Sequence, residues 1–78
     1  MKKSWKDGVY STNLASDDKE GWTALHLSRE RHGQTELVAR IIFWDAEGQF
    51  ALEVLVRELP LTIVEELIAE AKSAIKIT

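Results

Sequence analysis

The 78 residues carry a net charge of −3, 45% apolar side chains, three tryptophans and no cysteine. A chain this short makes one domain with a marginal core, burying only ~60% of the surface its unfolded form exposes. Without cysteine there are no disulfides, thiolate metal sites or thiol nucleophiles, and the acidic balance disfavours nucleic acid as a partner. The opening MKKSWKDG is basic but has no apolar run behind it, so it does not read as a secretion signal. No segment approaches the ~18 apolar residues of a membrane span, so the expectation is a cytoplasmic protein with no membrane partner.

Residues 1–21 are the least patterned part of a single domain spanning 1–78. Lys2, Lys3 and Lys6 read as a solubilising cluster, Gly8 to Leu14 as at most a short edge strand, and ASDDKEG as a loop. From residue 22 to 57 the pattern sharpens into a three-stranded meander. Trp22 to Glu30, Thr35 to Trp44 and Gln49 to Arg57 are rich in β-branched, aromatic and alternating apolar residues. Residues 62–77 read as a helix. Pro60 stops the last strand, and Thr62 with Glu65 three residues on matches a capping box. Val64, Leu67, Ile68, Ala71, Ala74 and Ile75 fall on one stripe. The fold class is therefore α+β: an antiparallel sheet of three to four strands with one C-terminal helix packed on one face.

The connection Asp45 to Gly48, with Gly48 left-handed, sets Trp44 opposite Gln49 and so fixes the register of the last hairpin. Phe43–Phe50, Ile41–Leu52, Ala39–Val54 and Leu37–Val56 then share one fully apolar side, the place for the helix. Ile42–Ala51, Arg40–Glu53, Val38–Leu55 and Glu36–Arg57 share the other. Two opposite-charge pairs emerge from a register chosen only by the turn. A turn at His32-Gly33 that sets Arg29 against Glu36 sends Leu25 and Leu27 to the amphipathic side. It sends Trp22, Ala24 and His26 to the helix side, and is preferred over a three-residue turn, which would swap the two sets and place Glu30 against Glu36.

That amphipathic side, with Leu25, Leu27, Val38, Ile42, Trp44 and Leu55 around the Arg40–Glu53 pair, is a patch monomers rarely leave exposed. Either the N-terminal segment covers it with Trp5, Val9 and Tyr10, or a second copy packs there as a homodimer. These eight residues are the candidate interface, and the dimer is preferred.

Chemistry is harder to find. There is no phosphate loop, nucleophile elbow or zinc spacing, so no cofactor, metal or catalytic set is expected. His32 suits a turn with positive φ. His26 reads as a satisfied strand histidine before it reads as a general base. Asp17, Asp18 and Glu20 lack calcium-loop spacing, and the tryptophans lack the basic surface that base stacking needs. The sequence thus points to a small non-enzymatic binding or assembly module, homodimeric through its sheet face, recognising a protein or small ligand. The alternative is an apolar-ligand pocket between helix and sheet with Trp22 and His26 as its polar fixings. An enzyme using His26 as base, or a regulatory antitoxin-like protein, is a more distant reading. Strand–strand–strand–helix order recurs in unrelated proteins and does not fix a function.

Overall fold

The structure is a computed structural model and describes residues 1–75. Its elements are β1 (Lys2–Trp5), β2 (Gly8–Asp17), β3 (Trp22–Arg31), β4 (Gln34–Trp44), β5 (Gln49–Val54) and α1 (Leu61–Ala74). The strands form one antiparallel meander in the order β1-β2-β3-β4-β5, and α1 returns across β3 and β4. The fold is α+β, with five strands rather than three or four. No helix among the described residues is long and apolar enough to cross a membrane.

Two strands come from residues 1–21: β2, which contains the short strand expected at Gly8 to Leu14 and runs on to Asp17, and β1, which was not expected. Lys6 and Asp7 form a tight turn that sets Trp5 opposite Gly8. Gly8 has φ +149°, and a Cβ there would lie 2.5 Å from the Glu30 carbonyl oxygen of β3, so only glycine lets β2 pair so closely at this point. The segment therefore lengthens the sheet instead of covering a face. Tyr10, expected as a cover, is wholly buried on the helix side. Of the expected loop, Ala15 to Asp17 belong to β2. Asp17 accepts the amides of Lys19 and Glu20 at 3.0 and 3.1 Å, closing the turn into β3.

The β4–β5 register is the one the turn dictates: Trp44–Gln49, Phe43–Phe50, Ile42–Ala51, Ile41–Leu52, Arg40–Glu53 and Ala39–Val54. Gly48 has φ +65°, and the Phe43 and Phe50 rings meet at 5.1 Å, tilted by 58°. The strand stops at Val54, so Leu37–Val56 and Glu36–Arg57 do not pair.

The β3–β4 hairpin behaves differently. Its two-residue turn holds His32 at φ 54° and Gly33 at φ 75°, a primed turn whose twist matches the strands. Arg29 lies opposite Glu36 as expected. Between Leu27 and Ser28, however, the register shifts, with Ser28 opposite Leu37 and Leu27 opposite Ala39. Val38 is the extra residue of a β-bulge. Beyond it every β3 side chain pairs one residue further along β4, and the two faces exchange. Leu25 and Leu27 go to the helix side. Trp22, Ala24 and His26 go to the helix-free side, where Trp22 opposes Trp44 and His26 opposes Arg40. Leu37, expected under the helix, is 37% exposed beside Ser28.

The core is Tyr10, Leu25, Leu27, Val38, Ala39, Ile41 and Phe43 against Ile63, Leu67, Ala71 and Ile75. The helix buries an i, i+4 stripe rotated from the expected one: Ile63 replaces Val64, and Ile68 is 37% exposed. It also begins one residue early. Pro60 occupies the N-cap position, its carbonyl accepts the Ile63 and Val64 amides, and no side chain caps the end. Proline's fixed φ, here −58°, orders this entry without a threonine. The expected Thr62–Glu65 capping box does not form. The end expected at residue 77 lies outside the described residues. Polar contacts tie α1 to the first hairpin. The Met1 ammonium meets Glu70 at 3.0 Å, Thr12 donates to Glu70 at 2.7 Å, and Lys3 pairs with Glu66 at 3.1 Å.

At the His32 end of the sheet, buried Arg29 gathers a polar cluster. Its guanidinium donates to Glu36 at 2.6 Å and to Asp7 at 3.3 Å, and the Tyr10 hydroxyl donates to Asp7 at 2.8 Å. A buried charge is tolerated because it is paired. The hydrogen bond to Glu36 pushes the Arg29 pKa further up, and Arg29 holds the Glu36 carboxyl below its ordinary value. Burial, then the bond to Asp7, raises the Tyr10 phenol.

Two outcomes follow from this packing. Leu67→Ala, at a wholly buried site, should cost ~2–5 kcal/mol, whereas Thr62→Ala, exposed and capping nothing, should stay within about 0.5 kcal/mol. Urea melts of the two variants check the contrast. Tyr10 is the one tyrosine of the chain, so phenolate absorbance reads it alone. Its midpoint should lie above ~10 when folded and return to ~10 in urea. Because the folded value is raised, its stabilisation is complete below the unfolded pKa and is lost as pH rises through the folded one. Glu36 has the opposite sign, and its contribution disappears as pH falls through its lowered pKa.

Candidate functional site

With the faces exchanged, the helix-free side reads as rows running across the strands. Asp17, Trp22, Trp44 and Gln49 form the first row, and Ala15, Ala24, Ile42 and Ala51 the second. Asn13, His26, Arg40 and Glu53 form the third, followed by Ser11, Ser28 and Leu37. A low apolar row is thus bounded by two tryptophans on one side and a polar row on the other. Ala24 and Ile42 are buried at 0% and 7% exposure although no helix covers them, because larger side chains flank them in both neighbouring rows. Trp22, His26, Arg40, Trp44 and Glu53 are half-buried.

Arg40 donates through Nε to Glu53 Oε1 at 2.6 Å, fixing the guanidinium above the sheet. His26 Nε2 is buried and has no hydrogen-bond partner among the described residues. The described residues contain no group of three or more His, Asp or Glu able to hold a metal ion. Asp17 is engaged in its own turn.

Of the eight residues expected at an interface, Arg40, Ile42, Trp44 and Glu53 do share the helix-free face. Leu25, Leu27 and Val38 do not: they lie in the core beneath α1. Leu55 follows β5, 48% exposed, with its amide donated to the Val38 carbonyl at 2.8 Å. Trp22 and His26, expected in a pocket between helix and sheet, are on the opposite face from the helix.

Exposed apolar side chains gather elsewhere. On the helix side Leu52 and Val54 are each 47% exposed, with half-open Ile68 across a cleft from Leu52. The cleft, of about 120 Å³, runs between α1 and β5, lined by Ile41, Phe50, Leu52, Ile68, Ala71 and Lys72 among others. Periodicity had placed Leu52 and Val54 on the correct side, but it could not tell how far the helix reaches across the sheet.

Compared with known proteins, the chain matches no family model, no curated protein and no solved structure.

Proposed function

We propose that the protein is a small, non-enzymatic, cytoplasmic binding and assembly module that recognises a folded protein partner through the helix-free face of its sheet. One observation carries this reading. Trp22 and Trp44 stand opposite one another on adjacent central strands, near an Arg40 that Glu53 fixes, on the side without a helix. Tryptophan and arginine are the residues that most often anchor protein interfaces. Around them the face mixes Ala24, Ile42 and Ala51 with His26, Arg40 and Glu53. That balance suits a surface formed and released in solution rather than a permanent seam, which would be more apolar. The three residues that would have made it oilier, Leu25, Leu27 and Val38, are committed to the core.

A small-molecule pocket between helix and sheet has less support. The cleft there is about 120 Å³, against ~300–1,000 Å³ for ordinary ligand pockets, and neither Trp22 nor His26 reaches it.

The test is site-specific photo-crosslinking in cells from Ala51, exposed on the helix-free face, and from Leu14, exposed on the other. The Ala51 probe should trap a discrete partner that the Leu14 probe does not. With that partner purified, Trp44→Ala should weaken binding more than about tenfold, a loss of ~1.4 kcal/mol or more, while Trp5→Ala leaves it unchanged. Equal affinity for wild type and folded Trp44→Ala would remove this face from consideration.

A further inference from the structure

The two edges of the sheet are finished differently. The β1 edge is four residues long and carries Lys2 and Lys3, with Lys6 just beyond. Short length and lysines are standard protection against edge-to-edge pairing. The β5 edge, Gln49–Val54, has six residues, no proline, no lysine or arginine, and an unbroken register with β4. Its single charge, Glu53, is turned to Arg40 of its own sheet.

Hydrogen bonding fixes which groups that edge offers. The Leu55 amide donates to Val38 of β4. Since backbone groups alternate in direction along a strand, Glu53, Ala51 and Gln49 also face β4, and Phe50, Leu52 and Val54 turn theirs outward. Those same three residues place their side chains on the helix side, where Leu52 and Val54 are 47% exposed beside Ile68. The donors and acceptors that have no partner among the described residues and the exposed apolar side chains therefore belong to the same positions.

We propose that β5 is a dimerisation edge, on which two copies of the chain pair antiparallel about a twofold axis through Leu52. An axis perpendicular to the sheet keeps both helices on one side, so residues that pair must share a face. Centring on Leu52 sets Leu52 against its own copy and Phe50 against Val54 on each side, an apolar ladder that joins the two clefts. Centring on Glu53 would set like charges together, which is destabilising. Centring on Ala51 would leave Val54 without a partner in the other strand. Six residues run ~20 Å, so with Ile68 beside the ladder the contact is a small one, of the class that forms and dissociates reversibly. It also lays the two helix-free faces side by side on one continuous sheet. The pairing stands whatever partner reads that face.

Light scattering across a dilution series should show wild-type mass rising from one chain to two. Leu52→Lys, which brings two ammonium groups together on the axis, should remain monomeric with an unchanged circular dichroism spectrum. The chain has no cysteine, so single-cysteine variants report contacts cleanly. In oxidised glutathione Leu52→Cys should form a disulfide-linked dimer, since paired Cα atoms ~5.5 Å apart permit the bond. Ala51→Cys and Asn13→Cys should not. The proposal is overturned by a wild type that stays monomeric at the highest attainable concentration. A folded Leu52→Lys that still dimerises, or Ala51→Cys cross-linking in preference to Leu52→Cys, overturns it equally.

Discussion

Between Leu27 and Ser28 of β3, the facing strand supplies one residue more than the ladder uses, and that residue is Val38. On the turn side of it, pairing obeys the His32–Gly33 geometry and Arg29 keeps Glu36. On the far side, Leu27 meets Ala39 and Leu25 meets Ile41. In a regular strand Leu25 would instead face Arg40, and the apolar residues of β3 would lie on the opposite face from those of β4. A bulge disrupts the ladder locally and bends the strand. Burying two leucines is worth ~1.5–3 kcal/mol each, and Val38, wholly buried, adds its own side chain. Burial outweighs the disrupted ladder, and the charge pair survives because it lies between the bulge and the turn.

The position of the bulge also determines what each face can do. With both leucines turned inward, the helix-side core is complete over β3 and β4, and α1 needs only the stripe Ile63, Leu67, Ala71 and Ile75 to close it. The helix is drawn toward the first hairpin by Glu66 and Glu70, away from β5. What remains outside is then divided by chemistry. The mixed Trp and Arg rows occupy the helix-free face, and Leu52, Val54 and Ile68 leave a largely apolar flank on the helix side of β5, beside Lys72. The exchange of Leu25 and Leu27 for Trp22 and His26 separates a surface suited to polar recognition from one suited to apolar contact.

How much of this was legible in the sequence depended on how local the deciding physics is. The β4–β5 register could be read because one turn, Asp45 to Gly48, fixes every pair, and the Arg40–Glu53 pair agrees with it. The same reasoning gave the correct turn and the correct Arg29–Glu36 pair in the preceding hairpin, yet the wrong faces. A bulge leaves no residue-type signature at Val38, and only the demand of the whole core for Leu25 and Leu27 reveals it. The first hairpin was half legible: the strand read at Gly8 to Leu14 lies within β2, but Lys2–Trp5 was not read as its partner, and β2 places Tyr10, Thr12 and Leu14 on one face and Val9, Ser11 and Asn13 on the other, with no clean alternation. Its strongest signal was Gly8, whose reason for being glycine lies in the Glu30 carbonyl across the sheet. Thr62 and Glu65 satisfied a local capping pattern that Pro60 pre-empted. Of the candidate interface residues read from the β4–β5 turn alone, Arg40, Ile42, Trp44 and Glu53 landed on one face, whereas Val38 is the bulged residue in the core and Leu55 lies beyond the end of β5. Leu25 and Leu27, which depended on the β3–β4 register, went to the helix side.

A chain of this size without disulfides rests its stability on packing. Here the meander makes nearly all contacts between neighbours in sequence, so its strands can assemble locally and the helix closes the sheet from one end. Such an order leaves the last strand with one finished side, toward β4, and one unfinished side. At the β1 end the N-terminal lysines and the clasp to α1 complete the edge with charge. Within β5 the only charge, Glu53, is held by Arg40, which fixes the guanidinium on the helix-free face and leaves the strand's one carboxylate engaged within its own sheet, with Lys72 of α1 lining the neighbouring cleft. Arg40–Glu53 therefore links the two surfaces. The pair that gives the helix-free face its fixed guanidinium is also the reason the one charged side chain of β5 is engaged within its own sheet.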